Sequence, residues 1–252
     1  SSNIFLWRER GYFDVAATLK PLLHTWSLAV EEQYYILFPV FLLVTWRLGL
    51  KWILSFLAIA FVISLGVAHW AAYNNPGAAF YLLPTRGWEL LIGVFAAFYL
   101  RHNSYLKSHT INQALSLIGF GMIVYAIVAF DETTPFPSLY ALVPTIGTVL
   151  LILSAVPNTF VHKLLSFSPI VGVGLISYSA YLWHQPILAF ARHRLLEISD
   201  LLLIILCLSS PIMAYISWRG VEKPFRDKNK VNRKVIFSFS IFAILVFTSI
   251  GL

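Results

Sequence analysis

Chemistry-bearing side chains gather in three runs of an otherwise apolar sequence. The first is Pro21-Leu22-Leu23-His24-Thr25-Trp26-Ser27-Leu28-Ala29-Val30-Glu31-Glu32-Gln33-Tyr34-Tyr35. At 100° per residue His24, Ser27, Glu31 and Tyr35 fall on one helical stripe, with Glu32 beside it and Trp26 and Gln33 behind. A carboxylate next to an imidazole fixes the tautomer and supports the imidazolium, which is a general acid/base arrangement. The same two glutamates could equally pair with a basic residue on another helix and lock a bundle. The second run is Pro84-Thr85-Arg86-Gly87-Trp88-Glu89. Arg86 and Glu89 are three apart and share a helix face, either as a self-contained ion pair or as a guanidinium that receives an anionic group or a developing oxyanion. The third is Ser177-Tyr178-Ser179-Ala180-Tyr181-Leu182-Trp183-His184-Gln185-Pro186, where Ser177, Tyr181, His184 and Gln185 line one side. An aromatic belt at a membrane interface accounts for Trp183 but not for His184.

The elements that carry these runs must lie in a membrane. Of 252 residues 59% are hydrophobic and 12% charged, and the mean hydropathy is +0.77. A soluble domain has about 25% charged residues. Long continuous apolar stretches exclude the alternating pattern of a membrane β-barrel, and the single Cys207 cannot form an internal disulfide. The expected fold is all-α, a polytopic bundle of about eight transmembrane helices. Their approximate spans are 22–47, 52–72, 81–100, 113–130, 139–156, 169–190, 200–219 and 235–252, each near the 20 or so residues a crossing needs. Residues 1–234 read as one membrane domain and 235–252 as an additional helix. Charged side chains at membrane depth cost about 2.5–3.5 kcal/mol at a helix centre, so each is a functional candidate.

The net charge of +7 is not a nucleic-acid signature, because seven of the eighteen basic residues lie between Arg219 and Lys234 and no nucleic-acid-reading motif accompanies them. Such a cluster marks a cytoplasmic loop. Loops with Arg47, Lys51, Arg101, Lys107 and Lys163 join it on that side, which puts both the Ser1 end and the Leu252 end on the extracytoplasmic face. The three polar runs then lie toward that outer face. His102, His109, His162 and His193 read as solvated, His69 as packed, and no group has metal-ligand spacing.

At His24-Thr25-Trp26-Ser27-Leu28-Ala29-Val30-Glu31-Glu32-Gln33-Tyr34 the sequence resembles the acyltransferase family 3 membrane proteins, which include O-acyltransferases of O-antigen and other polysaccharides. Further blocks of the resemblance are Gly11-Tyr12-Phe13-Asp14, Lys20-Pro21-Leu22-Leu23, Arg86-Gly87-Trp88-Glu89-Leu90-Leu91-Ile92-Gly93, Ser177 to Pro186, and Val221-Glu222-Lys223-Pro224-Phe225-Arg226. The resemblance implies a bacterial inner-membrane enzyme. It would move an acyl group, usually acetyl, from cytoplasmic acyl-CoA as co-substrate to a hydroxyl of an extracytoplasmic glycan, such as the O-antigen of lipopolysaccharide. Acyl-CoA, the glycan and membrane lipid are its implied partners, with no bound cofactor.

The stretch after Arg226 resembles the subgroup that continues into an extracytoplasmic SGNH-type domain. The family's proposed catalytic histidine, eleven positions after an Arg or Lys, has no counterpart here. The expectation is therefore that the first helices are missing and that this piece is inactive alone. The catalytic candidates are His24, Glu31, Glu32, Arg86 and Glu89; Trp26, Ser27, Tyr181 and His184 are candidates for substrate contact. A proton-coupled glycan transporter or a non-catalytic envelope scaffold would use the same intramembrane residue types.

Overall fold

In the computed structural model the described residues are 2–8, 19–102, 108–131, 133–195, 199–227 and 231–251. Among them the chain is helical and holds no strand. The helices are α1 (Ser2–Arg8), α2 (Trp26–Thr45), α3 (Leu50–Asn74), α4 (Pro76–Tyr81), α5 (Leu83–His102), α6 (His109–Ala129), α7 (Leu142–Ser154), α8 (Phe160–Leu165), α9 (Ser168–Arg194), α10 (Asp200–Ser217), α11 (Lys223–Arg226) and α12 (Arg233–Gly251). They fall into two compact units, one of residues 1–17 and 23–168, the other of residues 18–22 and 169–252. The Gly11-Tyr12-Phe13-Asp14 block, Lys107 and Glu132 lie outside the described residues.

Four segments among the described residues are long and apolar enough to cross a membrane: Leu23–Leu48, Leu50–Asn74, His109–Ala129 and Asp200–Arg226. The sequence led to an expectation of eight. The helices over the other four expected spans exist but do not meet the same standard, for two physical reasons. The apolar parts of α7 and α12, Leu139–Ser154 and Lys234–Val246, are too short. By contrast α5 and α9 have 20 and 27 residues but carry polar runs inside the helix. Val128 and Leu43 keep 80% and 79% of their surface exposed, which suits side chains solvated by lipid rather than water.

A second difference concerns the basic segment 219–234. Instead of ending near residue 219, α10 continues through a π-helical stretch, Trp218–Glu222, into α11. Arg219, Lys223 and Arg226 are therefore helical. Pro224 falls just after the π-helical stretch; it has no N–H to give to the preceding turn, at the place where the regular helical ladder is already interrupted.

Within the first unit two devices set the helices that matter for the site. Ser64 of α3 donates its hydroxyl to the Pro84 carbonyl (2.6 Å) and accepts the Trp88 N–H (3.0 Å), so one buried hydroxyl fixes the first turns of α5. Thr85 Oγ1 lies among the carbonyl oxygens of Leu82 (2.7 Å), Ala79 (2.8 Å) and Ala78 (3.2 Å) and ties α5 back to α4. The core above them is aromatic. Trp26 packs on Phe80 with ring centroids 4.4 Å apart and edge-on to Tyr81 at 5.6 Å, alongside Leu6, Leu23 and Val30. Fully buried Asn3 of α1 donates to the Tyr81 carbonyl (3.1 Å) and accepts from Gln33 Nε2 (3.0 Å).

Elsewhere in that unit α6 and α7 meet where neither helix has a side chain. A Cβ on Gly119 would stand 2.7 Å from the Gly147 carbonyl oxygen, and the converse distance is also 2.7 Å. Close backbone approach through small residues is the usual solution for membrane helices, which gain little from burying apolar surface against each other.

Candidate active site

The first turns of α2 and α5 meet around a small cavity of about 70 Å³ lined by Trp26, Ser27, Val30, Glu31, Arg86, Glu89 and Leu90. Five of the nine residues singled out in the sequence thus share one space. On α2 the lining residues have the spacing i, i+1, i+4, i+5, one face of a regular helix. On α5 Arg86, Glu89 and Leu90 supply the i, i+3, i+4 face.

Arg86 is the best-surrounded charge. Its terminal nitrogen lies 3.3 Å from Glu89 Oε2, and the two side chains are only 15% and 21% exposed. Its guanidinium carbon also lies 5.2 Å from the Trp26 ring centroid, 5.7 Å from Phe80 and 5.0 Å from Phe136. Three ring faces supply negative quadrupole to a desolvated cation and hold its flat head in place. An ion pair at 3.3 Å is looser than the 2.7–2.9 Å typical of a charge-assisted bond. Glu89 Oε1 is buried and has no hydrogen-bond partner among the described residues. Glu31 likewise forms no side-chain hydrogen bond or ion pair among the described residues. A carboxylate oxygen kept in a low-dielectric site without a partner is costly, and it is the kind of group that a reacting proton would satisfy.

The wheel drawn from the sequence needs correcting at three positions. Trp26 was assigned to the back of the helix, yet it lines the cavity. Tyr35, placed on the stripe, is 63% exposed. Glu32 is exposed and is not among the lining residues. The wheel gives spacing within α2 but not which part of α2 faces its neighbours, and Trp26 is turned toward Phe80 and Tyr81. Residues Leu23–Thr25 form a 3₁₀ turn before α2 begins at Trp26, so His24 alone is out of phase with the stripe that follows. His24 itself is buried in that turn, one turn ahead of Ser27, and does not line the cavity; its carbonyl accepts from Ser27 Oγ at 3.5 Å.

Tyr181 and His184 belong to the other unit. There His184 Nδ1 lies 2.6 Å from the Tyr181 carbonyl, their rings 5.5 Å apart, while Gln185 Nε2 donates to the Lys20 carbonyl at 3.2 Å. Ser179, in the same run, donates to Glu222 Oε2 at 3.0 Å, and Glu222 Oε1 accepts from Arg226 at 3.0 Å. These bonds tie the Val221 to Arg226 block to the Ser177 to Pro186 block.

Sequence reasoning missed Phe80 and Phe136, which complete the cage around Arg86, and Ser64 and Thr85, which place its helix. Phe136 left only a weak signal, in the turn-forming run Thr133-Thr134-Pro135-Phe136-Pro137. Nothing in the linear pattern ties that turn to Arg86.

The family model described as an acyltransferase domain matches residues 3–219. The chain belongs to this acyltransferase family. Similar curated proteins include YrhL of Bacillus subtilis (strain 168), whose name makes it a candidate peptidoglycan O-acetyltransferase; it is 30% identical over 96% of this chain and 44% of its own. The peptidoglycan O-acetyltransferase OatA of Listeria monocytogenes is 30% identical over 90% of this chain and 39% of its own. The O-acetyltransferase OatA of Staphylococcus aureus (strain NCTC 8325) is 32% identical over 89% and 39%. The acyltransferase domain described here therefore spans about two fifths of the length of these relatives. No solved structure matches.

Proposed function

We propose that this acyltransferase domain works in a bacterial plasma-membrane O-acetyltransferase that moves an acetyl group from cytoplasmic acetyl-CoA to a glycan hydroxyl outside the membrane. The acceptor we favour is the peptidoglycan strand rather than an O-antigen, because two of the relatives above carry peptidoglycan in their names. The observation that carries the reading is the joining of Glu31, Arg86 and Glu89 in one cavity near the starts of α2 and α5.

In the final transfer the acceptor oxygen bonds to the acyl carbonyl carbon and the bond from that carbon to the atom that delivers the acyl group breaks. The hydroxyl proton passes to a carboxylate, for which Glu31 is our candidate, and the delivering atom leaves with the electron pair and is then protonated. Arg86, held flat among Trp26, Phe80 and Phe136, faces the charge that develops on the carbonyl oxygen. The positive ends of the α2 and α5 dipoles act in the same sense. Glu89 orients the guanidinium, and His24 supports the start of α2. Glu32 and Ser27 are assigned to the acceptor side of the reaction.

For orientation we place the basic segment 219–234, together with Arg47 and Lys51, at the cytoplasm, following the excess of Lys and Arg. The cavity then lies toward the opposite face, some 30 Å along α2 from Arg47 at about 1.5 Å per residue.

The test supplies labelled acetyl-CoA to membranes holding the full-length protein and follows label into peptidoglycan, with Arg86→Gln and Glu31→Gln beside the wild type. Incorporation that both substitutions reduce by roughly 10²–10⁴-fold supports the reading. Full incorporation by both variants, or transport of an unmodified glycan without label transfer, overturns it.

A further inference from the structure

The cavity between α2 and α5 has a size and a lining that say which acyl group it takes, an inference that rests on the acyl-transfer reading above. It measures about 70 Å³. A cavity of about 150 Å³ accommodates benzene, with six heavy atoms, so at similar packing this one holds about three. An acetyl group has three heavy atoms, a propionyl four and a butyryl five.

The lining is divided to match. Arg86, Ser27, Glu31 and Glu89 are polar, while Val30, Leu90 and the Trp26 ring are apolar. A neutral group with one carbonyl oxygen and one methyl satisfies both halves. A free carboxylate such as acetate would meet two glutamates.

The apolar side has little room to give way. Val30 and Trp26 are 4% and 7% exposed within the aromatic core that also holds Leu6, Leu23 and Tyr81. Close-packed interiors resist even one added methylene. Leu90 is half-buried on α5, directly after Glu89 in sequence, and is the wall most easily moved without disturbing that core.

We infer that the cavity formed by Trp26, Val30, Leu90 and Arg86 is an acyl-size gate. It admits a two-carbon acyl group, carbonyl toward Arg86 and methyl toward Val30 and Leu90, and rejects longer chains. Leu90 and Val30 are then residues that set acyl specificity rather than residues that move protons.

The experiment uses the full-length enzyme in its membranes with acetyl-, propionyl- and butyryl-CoA as donors and purified peptidoglycan as acceptor. Mass analysis of the muramidase-released sugars reads out transfer. One methylene in a fitted apolar pocket changes rates by about 10–200-fold, so the wild type prefers acetyl over propionyl by at least about tenfold. Leu90→Ala brings propionyl to within a few-fold of acetyl, and Leu90→Phe suppresses acetyl transfer. Val30→Ala, on the opposite wall, shifts the ratio the same way and serves if Leu90→Ala inserts poorly. Because the readout is a ratio of donors, it does not depend on how much protein reaches the membrane.

An unchanged acetyl-to-propionyl ratio in both enlarged variants overturns the gate. Wild-type enzyme that transfers butyryl as well as acetyl also overturns it. If those results come while Arg86→Gln and Glu31→Gln are inactive, the gate fails and the site stands. If Arg86→Gln and Glu31→Gln retain full activity, the reading of the site fails, and the gate with it.

Discussion

Two polar runs in otherwise apolar helices handle the same physical problem in opposite ways. In the Ser177 to Pro186 run of α9, Ser177 donates to the Gly174 carbonyl at 2.8 Å, His184 bonds the Tyr181 carbonyl, Gln185 the Lys20 carbonyl and Ser179 the Glu222 carboxylate. These four side chains are matched by backbone or by one long-range carboxylate. Around the first turns of α2 and α5 the balance is different, since Glu31 and one oxygen of Glu89 have no partner among the described residues and both residues border a cavity. Buried polar groups are normally satisfied, so a run that satisfies itself needs no function to explain it. A run that does not must be stabilised from elsewhere, here by the ring faces around Arg86 and the Ser64 clamp, and is the better place to look for chemistry. Sequence patterns alone made both runs candidates, the first for catalysis and the second for substrate contact.

The comparison breaks first on activity. Glu31→Gln and Arg86→Gln are expected to lower acetyl transfer by roughly 10²–10⁴-fold, whereas His184→Ala and Gln185→Ala should lower it by less than about tenfold. Equal losses in both sets, measured as acetylated sugar per inserted protein, would falsify the contrast.

Next in size is the packing that frames the first unit. Gly119→Leu forces a side chain into the Gly147 backbone and should cost about 1–3 kcal/mol or somewhat more. A lowered melting temperature in detergent would show it, and an unchanged one would mean that α6 and α7 do not cross as closely as 2.7 Å implies. Smaller again is Ser179→Ala in the self-satisfied run. A hydrogen bond to a charged group contributes about 1.5–3 kcal/mol, and the low end is expected because Glu222 keeps its bond to Arg226. Melting of the single variants and of the Ser179→Ala, Glu222→Gln pair isolates the coupling, which should be absent if α9 and α10 do not meet there.

The smallest effect lies in the turn after α6. Asp131 accepts from Thr133 N (3.0 Å), Thr133 Oγ1 (2.6 Å) and Thr134 Oγ1 (3.2 Å), and these bonds hold its carboxyl below the ordinary value of 3.8. A depressed folded-state value means that the contribution is present above about pH 3.8 and is lost as pH falls through the lower folded value. The melting difference between wild type and Asp131→Asn should therefore be small at pH 7 and disappear in strong acid. A difference that grows on acidification reverses the sign and removes the turn's hydrogen bonds as its cause.

Much of the fold class was legible because hydrophobic run length is a one-dimensional property. Spans 22–47, 52–72 and 113–130 correspond to segments that meet the crossing criterion, and the 200–219 span only needed lengthening. The count of eight was less secure, since α5 and α9 pair adequate length with internal polarity, and composition alone does not say whether such a helix crosses. At the site, Arg86 with Glu89 was legible from a spacing of three on a single helix. The pairing of α2 with α5 was not, because it depends on Ser64 and Thr85, which in sequence look like any other hydroxyl in an apolar helix.

By itself the sequence determined that this is a helical membrane protein, where its costly polar residues lie along the chain, and which family's pattern they follow. Those follow from hydropathy and from residue order. Only the tertiary structure decided that Trp26 faces the cavity and Glu32 does not. It also decided that Phe136, fifty residues from Arg86, closes the cage around it, and that the space left is about 70 Å³. Which part of a helix faces its neighbour, how closely the two approach and the volume left between them are set by packing among distant residues, and no local spacing encodes them.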